Sequence, residues 1–341
     1  MVNSDKPNAH VHHSDIWRKA TLPITALILI MIVNAMISPN FFTVSIVEGH
    51  LYGSLIDIVH RGSPLIIMSV GMSLVIATGG IDLSVGAVVA IAGAVMAVLI
   101  DHNYPGWLII LATLATGALC GLWNGILVAY LKIQPIIATL ILMVAGRGIA
   151  QMITSGQIVT FHSELFSQLG DGYWFGLPIR VIFILLAVVI LALVIRRSAL
   201  GLFIESVGGN TEASRLAGID SRSILIGVYM LSGLCAGFAG MIITADISGA
   251  DANNAGLWME MDAILAVVIG GASLAGGRFY LGLTLLGALV IQSLTISILV
   301  SGLPAQFTLV VKAIVIVLIL LIQSPQMKQK ILAKWRNRHA H

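Results

Sequence analysis

Apolar segments of membrane-spanning length fill almost the whole chain of 341 residues, and no other feature constrains the fold as strongly. A helix needs about 20 apolar residues to cross a bilayer. The sequence predicts about ten such spans, near residues 21–38, 63–79, 84–100, 107–130, 135–154, 179–195, 223–245, 260–277, 279–300 and 306–323. Only 10% of the residues are charged, against about 25% in soluble proteins, so we predict an all-α polytopic membrane protein.

Polar segments flank one membrane domain. We assign residues 1–20 to a cytoplasmic tail, 21–323 to a single transmembrane domain with a long cytoplasmic loop at 196–222, and 324–341 to a basic cytoplasmic tail. No soluble domain of about 50 residues or more fits between the spans. The three histidines between residues 10 and 13 lie in a tail that does not hold them in place, so they do not predict a metal site. The two cysteines fall in apolar runs and are interpreted as packing residues.

Basic residues gather on one side of the predicted spans. Of the 18 Lys and Arg residues, fourteen fall in segments that are cytoplasmic if the N-terminus is cytoplasmic, Arg61 and Arg180 fall outside, and Arg147 and Lys312 fall within spans. This distribution follows the positive-inside rule and predicts that both termini are cytoplasmic. The net charge of +3 therefore reflects topology and does not predict a nucleic-acid partner.

The segment Gly79–Ser84 interrupts an otherwise apolar run with two glycines, an aspartate and a serine. Adjacent glycines disfavour a helix, whereas Asp and Ser cap one. We therefore predict a helix that ends near Thr78 and a new helix that begins after Asp82 or Ser84. A broken helix at membrane depth is tolerated only where protein or water surrounds it. The alternative is a turn at the cytoplasmic edge of the membrane, with Asp82 as a cap.

Two weaker patterns concern packing. Residues 75–83 resemble residues 266–274, because both are apolar runs followed by two glycines, a short polar cap and a leucine. Paired broken helices in two halves of a transporter indicate a central pathway. Glycines also repeat at every fourth position within 117–125 and within 233–237, a spacing that lets helix backbones approach closely.

The loop 196–222 is the longest predicted cytoplasmic loop, and it is amphipathic. Asn210 can cap a short helix, Glu212 lies near the positive end of that helix, and Gly218 can close it. The apolar side of the helix would consist of Ala213, Leu216 and Ala217. An apolar face with nothing of its own to cover it predicts a docking element. The alternative is an ordinary loop helix that lies on the membrane.

Motifs for catalysis are absent from the sequence. There is no Gly-Lys dipeptide, and hence no phosphate-binding loop, and neither H-E-x-x-H nor G-x-S-x-G occurs. We therefore predict that the chain is not an enzyme and has no catalytic residues, metal or cofactor. Energy for active transport must come from a partner or from an ion gradient.

Three motifs together resemble the permease subunits of bacterial sugar ABC importers of the ribose and galactose type. They are GGIDLSVGA from Gly79, the pattern G-x-x-x-E-x-V-G-x-N-x-E-A-x-R-x-A-G-I from Gly201, and MDAILAVVIGGASLAGG from Met261. The resemblance covers about residues 20–325. Within that family, KIQPIIATLILMVAGRGIAQMITSGQIVTF and ISGADANNAGLW look like segments of galactofuranose importer permeases. Thr295-Ile296-Ser297 departs from the Asn-Asn-Gly of many relatives.

The resemblance implies a multi-pass permease subunit of the bacterial inner membrane that imports a monosaccharide, with galactofuranose as the expected sugar. It implies three partners: an ATP-binding subunit, a periplasmic sugar-binding protein and a second permease subunit. The two permeases of galactofuranose systems are different chains, so we expect a heterodimer rather than a homodimer. The resemblance also implies that the loop 196–222 docks on the ATPase, through Gly208, Gly209, Asn210, Glu212, Ala213, Arg215, Ala217 and Gly218.

Polar side chains in apolar spans are the candidates for a sugar pathway. These candidates are Asp82, Ser84, Asn124, Arg147, Gln151, Asn253, Asn254 and Asp262. Arg147 and Gln151 lie one helical turn apart on one face. An arginine within a span needs a carboxylate partner, and Asp82 is a candidate for that partner. The alternative role of each residue is structural, as a cap, a helix–helix hydrogen bond or an internal ion pair.

Other functional classes stay open at this point. An ion-coupled secondary transporter would use Asp82 and Arg147 as a relay, although the docking-type loop argues against that class. A membrane-embedded enzyme would need a nucleophile or a metal cluster, and the sequence offers neither. Among ABC permeases, the alternative substrates are another sugar such as ribose or galactose, or a branched-chain amino acid.

Overall fold

The computed structural model describes residues 9–47, 49–302, 304 and 307–323. Helices dominate this part of the chain, as expected of a polytopic membrane protein. The helices are α1 (Ala9–Ile37), α2 (Ser54–Ala77), α3 (Val85–Asp101), α4 (Gly106–Ala129), α5 (Pro135–Ile153), α6 (Glu164–Asp171), α7 (Ile179–Arg197), α8 (Leu200–Gly209), α9 (Thr211–Leu216), α10 (Ser221–Asp246), α11 (Met259–Ile269), α12 (Leu281–Val300) and α13 (Phe307–Gln323). The predicted basic tail 324–341 and residues 1–8 of the predicted N-terminal tail lie outside the described residues.

In the part of the chain that the structure describes, six short strands form three antiparallel pairs. They are β1 (Ser45–Val47) with β2 (His50–Tyr52), β3 (Val159–Thr160) with β6 (Gly249–Ala250), and β4 (Tyr173–Trp174) with β5 (Leu177–Pro178). The pair β3–β6 ties the loop after α5 to the segment that follows α10.

Seven helices within the described residues are long and apolar enough to cross a membrane. They are Lys19–Ile37 within α1, and α2, α4, α5, α7, α10 and α12. The apolar helices α3, α8 and Phe307–Leu318 within α13 are shorter. A total of ten spans stays a prediction. The prediction of one continuous helix over 260–277 is wrong, because α11 ends at Ile269, just before a double glycine. Helix α2 begins at Ser54, nine residues before the predicted start of the span 63–79.

The core of the bundle forms around α2 and α10. Helix α2 packs against α10, α12, α11 and α7, while α10 also packs against α4 and α3. Most of α2 is buried, and Met68, Met72, Leu74 and Ile76 are among the largest fully buried side chains. A helix that is apolar on all sides belongs in the interior of a bundle, which explains this central position.

The glycine repeats predicted to permit close packing do so between α4 and α10. A side chain at Gly117 would overlap the carbonyl oxygen of Gly233, and a side chain at Gly121 would overlap the carbonyl oxygen of Tyr229. The two backbones are therefore in direct contact, which confirms the packing predicted from the spacing.

The predicted break after α2 is confirmed. Helix α2 ends at Ala77, Gly79 adopts a φ of 78°, and α3 begins at Val85. In the break, Asp82 bonds to Ser232 of α10. Ser232 lies about 16 Å from the start of α10 and about 21 Å from its end, at 1.5 Å per residue. The break therefore reaches the middle of α10, which favours a break inside the bundle over a turn at the membrane edge.

A second broken element approaches the same point from the opposite end. After α10, residues 247–258 return to the middle of the bundle, where Gly86 of α3 lies against Glu260 and the carbonyl of Gly256. Helices α3 and α11 start beside each other there. Residues 247–258 therefore form a second interruption between helices. The predicted counterpart at 270–274 is a further one: Gly271 has a φ of 82° after the end of α11, and Gly276 packs against the backbone of Gly79 in the first break.

Candidate functional site

A buried polar network surrounds Asp82, which is only 1% exposed. Its Oδ1 accepts hydrogen bonds from the backbone N–H of Ser84 at 3.0 Å and from the Ser84 hydroxyl at 2.6 Å. Its Oδ2 accepts a hydrogen bond from the Ser232 hydroxyl at 3.0 Å. The Asn124 amide in turn donates to the Ser84 oxygen at 2.8 Å. This network joins the start of α3 to α10 and α4, and three of the predicted pathway residues meet in it.

Helix α5 holds the break from a second side. The Thr139 hydroxyl lies 3.1 Å from the carbonyl oxygen of Ile81 and accepts a hydrogen bond from the backbone N–H of Leu83 at 3.1 Å. Neither Thr139 nor Ser232 stood out in the sequence, because a lone hydroxyl in an apolar span usually bonds to its own helix. Both residues are fully enclosed in the fold.

We expect Asp82→Leu to lower the thermal stability of the detergent-purified protein strongly, and Asp82→Asn to lower it much less. The leucine leaves three buried donors without an acceptor, and each costs about 1–3 kcal/mol. The asparagine keeps one carbonyl oxygen for Ser84. Thermal unfolding of both variants measures the difference. Equal melting temperatures of wild type and Asp82→Leu would show that the network does not hold the break.

The predicted pairing of Arg147 with Asp82 is wrong. Arg147 Nη1 donates instead to the carbonyl oxygens of Ala252 at 3.2 Å and Ala255 at 2.6 Å. The carboxylate of Asp82 already has hydroxyl and amide donors inside the bundle, so it does not need the arginine. A secondary transporter would require a relay between Asp82 and Arg147, but the two side chains do not bond to each other.

A second cluster lies on the outer side of α5. The Gln151 amide donates to Asn253 Oδ1 at 2.7 Å, and the Asn254 amide donates to Asp251 Oδ2 at 2.7 Å. Gln151, Asn253 and Asn254 are exposed, and Arg147 is partly exposed. Four of the predicted pathway residues thus meet between α5 and the returning segment 247–258. Polar groups of this kind at membrane depth face protein or water rather than lipid.

The eighth predicted pathway residue, Asp262, belongs to neither cluster. Its carboxylate pairs with Lys312 of α13 at 2.7 Å, and both side chains are mostly buried. Lys312 therefore has the charge partner that a lysine within a span requires. The pair joins α11 to α13.

Sequence reasoning missed an ion pair at the end of α10, in which the arginine is buried and the aspartate is 37% exposed. Arg180 is 3% exposed, its Nη1 lies 2.7 Å from Asp246 Oδ1, and its Nη2 contacts His60 Nδ1. The sequence placed Arg180 and Asp246 in loops on the solvent side, because both fall at the ends of apolar runs. The packing of α7 against α2 and α6 encloses Arg180.

The predicted short helix in the loop 196–222 is present as α9, and Asn210 caps it as expected. The Asn210 side chain accepts a hydrogen bond from the backbone N–H of Ala213 at 2.9 Å, and Arg215 pairs with Glu212 at 3.2 Å. Gly218, with a φ of 87°, follows the helix. The apolar face is uncovered: Ala213 and Ala217 are exposed, and Leu216 is 83% exposed.

Helix α8 connects this segment to the first break. Gly208 lies so close to the carbonyl oxygen of Ala77, the last residue of α2, that a side chain would overlap it. The same oxygen accepts a hydrogen bond from the backbone N–H of Gly277 at 2.8 Å. Gly209, the next residue, has open space around it. The predicted docking loop and the break therefore share a backbone contact that the sequence did not indicate.

Comparison with known proteins establishes the family. Residues 54–320 match the family model described as "Branched-chain amino acid transport system / permease component". The chain belongs to this permease family. The resemblance to ABC importer permeases is thus confirmed, and such a permease is a multi-pass protein of the inner membrane. It works with an ATP-binding subunit and a periplasmic binding protein.

Several curated proteins are similar to the permease over most of their length. The galactofuranose transporter permease protein YtfT of Escherichia coli is 54% identical over 308 residues, 90% of each chain. The fructose import permease protein FruF of Bifidobacterium longum is 39% identical over 312 residues, 90% of the permease and 88% of the relative. The ribose import permease protein RbsC of Escherichia coli is 38% identical over 314 residues, 90% of the permease and 94% of the relative. No solved structure matches the permease.

Proposed function

We propose that this chain is a permease subunit of an ATP-driven, binding-protein-dependent importer of galactofuranose. The observation that carries the choice of sugar is the 54% identity to the galactofuranose permease, against 39% and 38% to the fructose and ribose permeases. All three relatives align over most of their length, so the difference in identity reflects similarity along the whole chain. Ribose, which a relative at 38% identity imports, is the alternative substrate.

The sugar pathway is proposed to run along the exposed face of α5. This face carries apolar residues such as Leu140 and Val144, and it ends in the polar cluster of Gln151 with Asn253. A second permease subunit is proposed to cover the face, since lipid does not satisfy these amides. We expect this subunit to be a different chain, so that the two α5 faces enclose one pathway. Sugar hydroxyls would replace the hydrogen bond between the two amides as the substrate passes.

The end of the bundle that carries α8 and α9 is proposed to be cytoplasmic, together with both chain termini. The charges at this end support the orientation, because Arg196, Arg197, Arg215 and Arg222 all lie there. The opposite end, with Asp101, Asp246 and the strand pair β3–β6, would face the binding protein.

Coupling to ATP is proposed to pass from α9 through α8 to the first break. The uncovered face of α9 would dock on the ATP-binding subunit, with Glu212 and Arg215 at the rim of the contact. A displacement of α8 would then act on Ala77 through the contact at Gly208. From there the break connects to α3 and α10 through Asp82. A movement of the ATP-binding subunit against α9 would thereby change the position of the break in the middle of the bundle.

Sugar competition in a reconstituted system tests the substrate. The permease is purified with its partner subunits, placed in proteoliposomes with internal ATP, and supplied with the cognate binding protein loaded with radiolabelled galactofuranose. We expect unlabelled galactofuranose to compete, and ribose to have little effect at the same concentration. Uptake of radiolabelled ribose without uptake of radiolabelled galactofuranose would replace galactofuranose with ribose and leave the transport class intact.

A further inference from the structure

An apolar groove separates α7 from α10. Two adjoining cavities form it, of about 310 and 390 Å³, and they share Val194, Leu231 and Leu234. Helix α7 packs against α2, α6 and α8, so α2 closes the floor of the groove through Ile67, and α8 closes one end through Ile204. Its sides open to the surface of the bundle, where Val194 and Leu234 are 46% and 40% exposed.

The dimensions of the groove fit a lipid chain. Along α10 the lining extends from Ser223 to Phe238, a distance of about 22 Å at 1.5 Å per residue. The hydrocarbon core of one leaflet is about 15 Å thick, half of the bilayer core. An acyl chain that enters beside Ser223 therefore lies along the groove for the whole depth of its leaflet. Water molecules are not stabilised in such a space, because the lining has almost no polar atoms for them to hydrogen-bond.

Two arginines, Arg197 and Arg222, lie near the end of the groove that α8 closes. Arg197 lies two turns after Ile190, a lining residue, and so on the same face of α7. Arg222 precedes the lining residue Ser223 and lies over the ring of Tyr130 at 5.3 Å. Two carboxylates are also near this end, since Glu205 follows the lining residue Ile204 on α8 and Asp220 precedes α10. The second of them is tied to its own helix. Hydrogen bonds from the Ser223 hydroxyl and from the backbone N–H groups of Ser223 and Arg222 hold its pKa below the ordinary value, and they direct its oxygens into the first turn of α10.

We propose that this groove is a binding site for one anionic phospholipid of the leaflet on the α8 side. One acyl chain fills the space between α7 and α10, and Arg197 and Arg222 contact the phosphate headgroup. The bound chain also contacts Leu200 and Ile204, and thereby supports α8 at its contact with the first break. The binding itself does not depend on the transported sugar, and only its effect on α8 rests on the proposed function.

Lipid titration of the full-length, detergent-purified chain tests the site. Because a ligand that binds the folded state raises the melting temperature, we expect saturating phosphatidylglycerol to raise it by about 3 °C. Phosphatidylethanolamine should raise it by less than half as much. Gly227 lines the groove, and a Cβ there would meet nothing within 4 Å, so Gly227→Phe places a ring in the path of the acyl chain. This variant should lose the response to phosphatidylglycerol.

Two further variants make the test decisive. Ile32→Phe adds the same ring to an exposed position on α1, which packs on α12, and should respond as the wild type does. The double variant Arg197→Gln and Arg222→Gln changes only exposed side chains and should respond equally to the two lipids. Equal responses of the wild type to both lipids would overturn the proposal. A preference for phosphatidylglycerol that is retained in the double variant would also overturn the proposal. This result does not depend on whether Gly227→Phe folds.

Discussion

Alanine at Gly208 is expected to reduce ATP-driven sugar uptake at least tenfold, whereas alanine at Gly209 is expected to leave uptake close to the wild-type rate. The two glycines are neighbours in the last turn of α8. A methyl group at Gly208 would overlap the carbonyl oxygen of Ala77 and lie 2.8 Å from the backbone nitrogen of Gly277. A methyl group at Gly209 would meet nothing within 4 Å.

The overlap at Gly208 has no cheap relief, because its neighbours are backbone atoms rather than flexible side chains. Overpacking of this kind typically costs about 1–3 kcal/mol, and here it pushes α8 away from the end of α2. Uptake into proteoliposomes and the yield of folded protein should be measured for both variants. If Gly208→Ala and Gly209→Ala transport equally well, the contact between α8 and the break does not carry the coupling.

A glutamate at Ala217 is expected to abolish the stimulation of ATP hydrolysis by the loaded binding protein. Ala213 and Ala217 lie four residues apart on the uncovered side of α9, beside the highly exposed Leu216. If this side enters a groove on the ATP-binding subunit, the new carboxylate becomes buried without a partner, at a cost of several kcal/mol. The variant should still insert and fold, because Ala217 contacts solvent in the isolated permease.

The control for this experiment is Gln134→Glu, at the exposed N-terminal cap of α5, where a carboxylate favours the positive helix end. It should retain stimulation and co-purify with the ATP-binding subunit, whereas Ala217→Glu should do neither. A double variant with glutamate at Ala213 and Ala217 extends the test. If it co-purifies and is stimulated normally, α9 does not dock on the ATP-binding subunit. The contact of α8 with the break would then need another explanation.

Features written in local sequence were predictable from the sequence. The double glycine followed by Asp82 signalled the break, Asn210 signalled the start of α9, and the spacing of the glycines in α4 signalled close packing. Each signal depends on backbone preferences or caps within a few residues. The family was also predicted from such motifs, and the match of the family model to residues 54–320 confirms it.

Partnerships between distant segments were not predictable. Asp82 and Arg147 were the most conspicuous charges in the spans, yet one bonds to Ser84 and Ser232 and the other to backbone carbonyls. Any of several donors could satisfy a buried carboxylate, so composition does not select among them. The similar double glycines each follow a helix end, but the contact of Gly276 with Gly79 could not be read from them. A helix end has a local signature, whereas the return of residues 247–258 into the bundle depends on tertiary contacts.

The most direct test of the account is uptake by the reconstituted complex under controlled energy sources. Proteoliposomes that contain the permease, its second permease subunit and the ATP-binding subunit are supplied with sugar-loaded binding protein. Our account predicts that galactofuranose accumulates only when ATP and the binding protein are both present, and that an uncoupler has no effect. Accumulation without ATP or without the binding protein, abolished by the uncoupler, would contradict it.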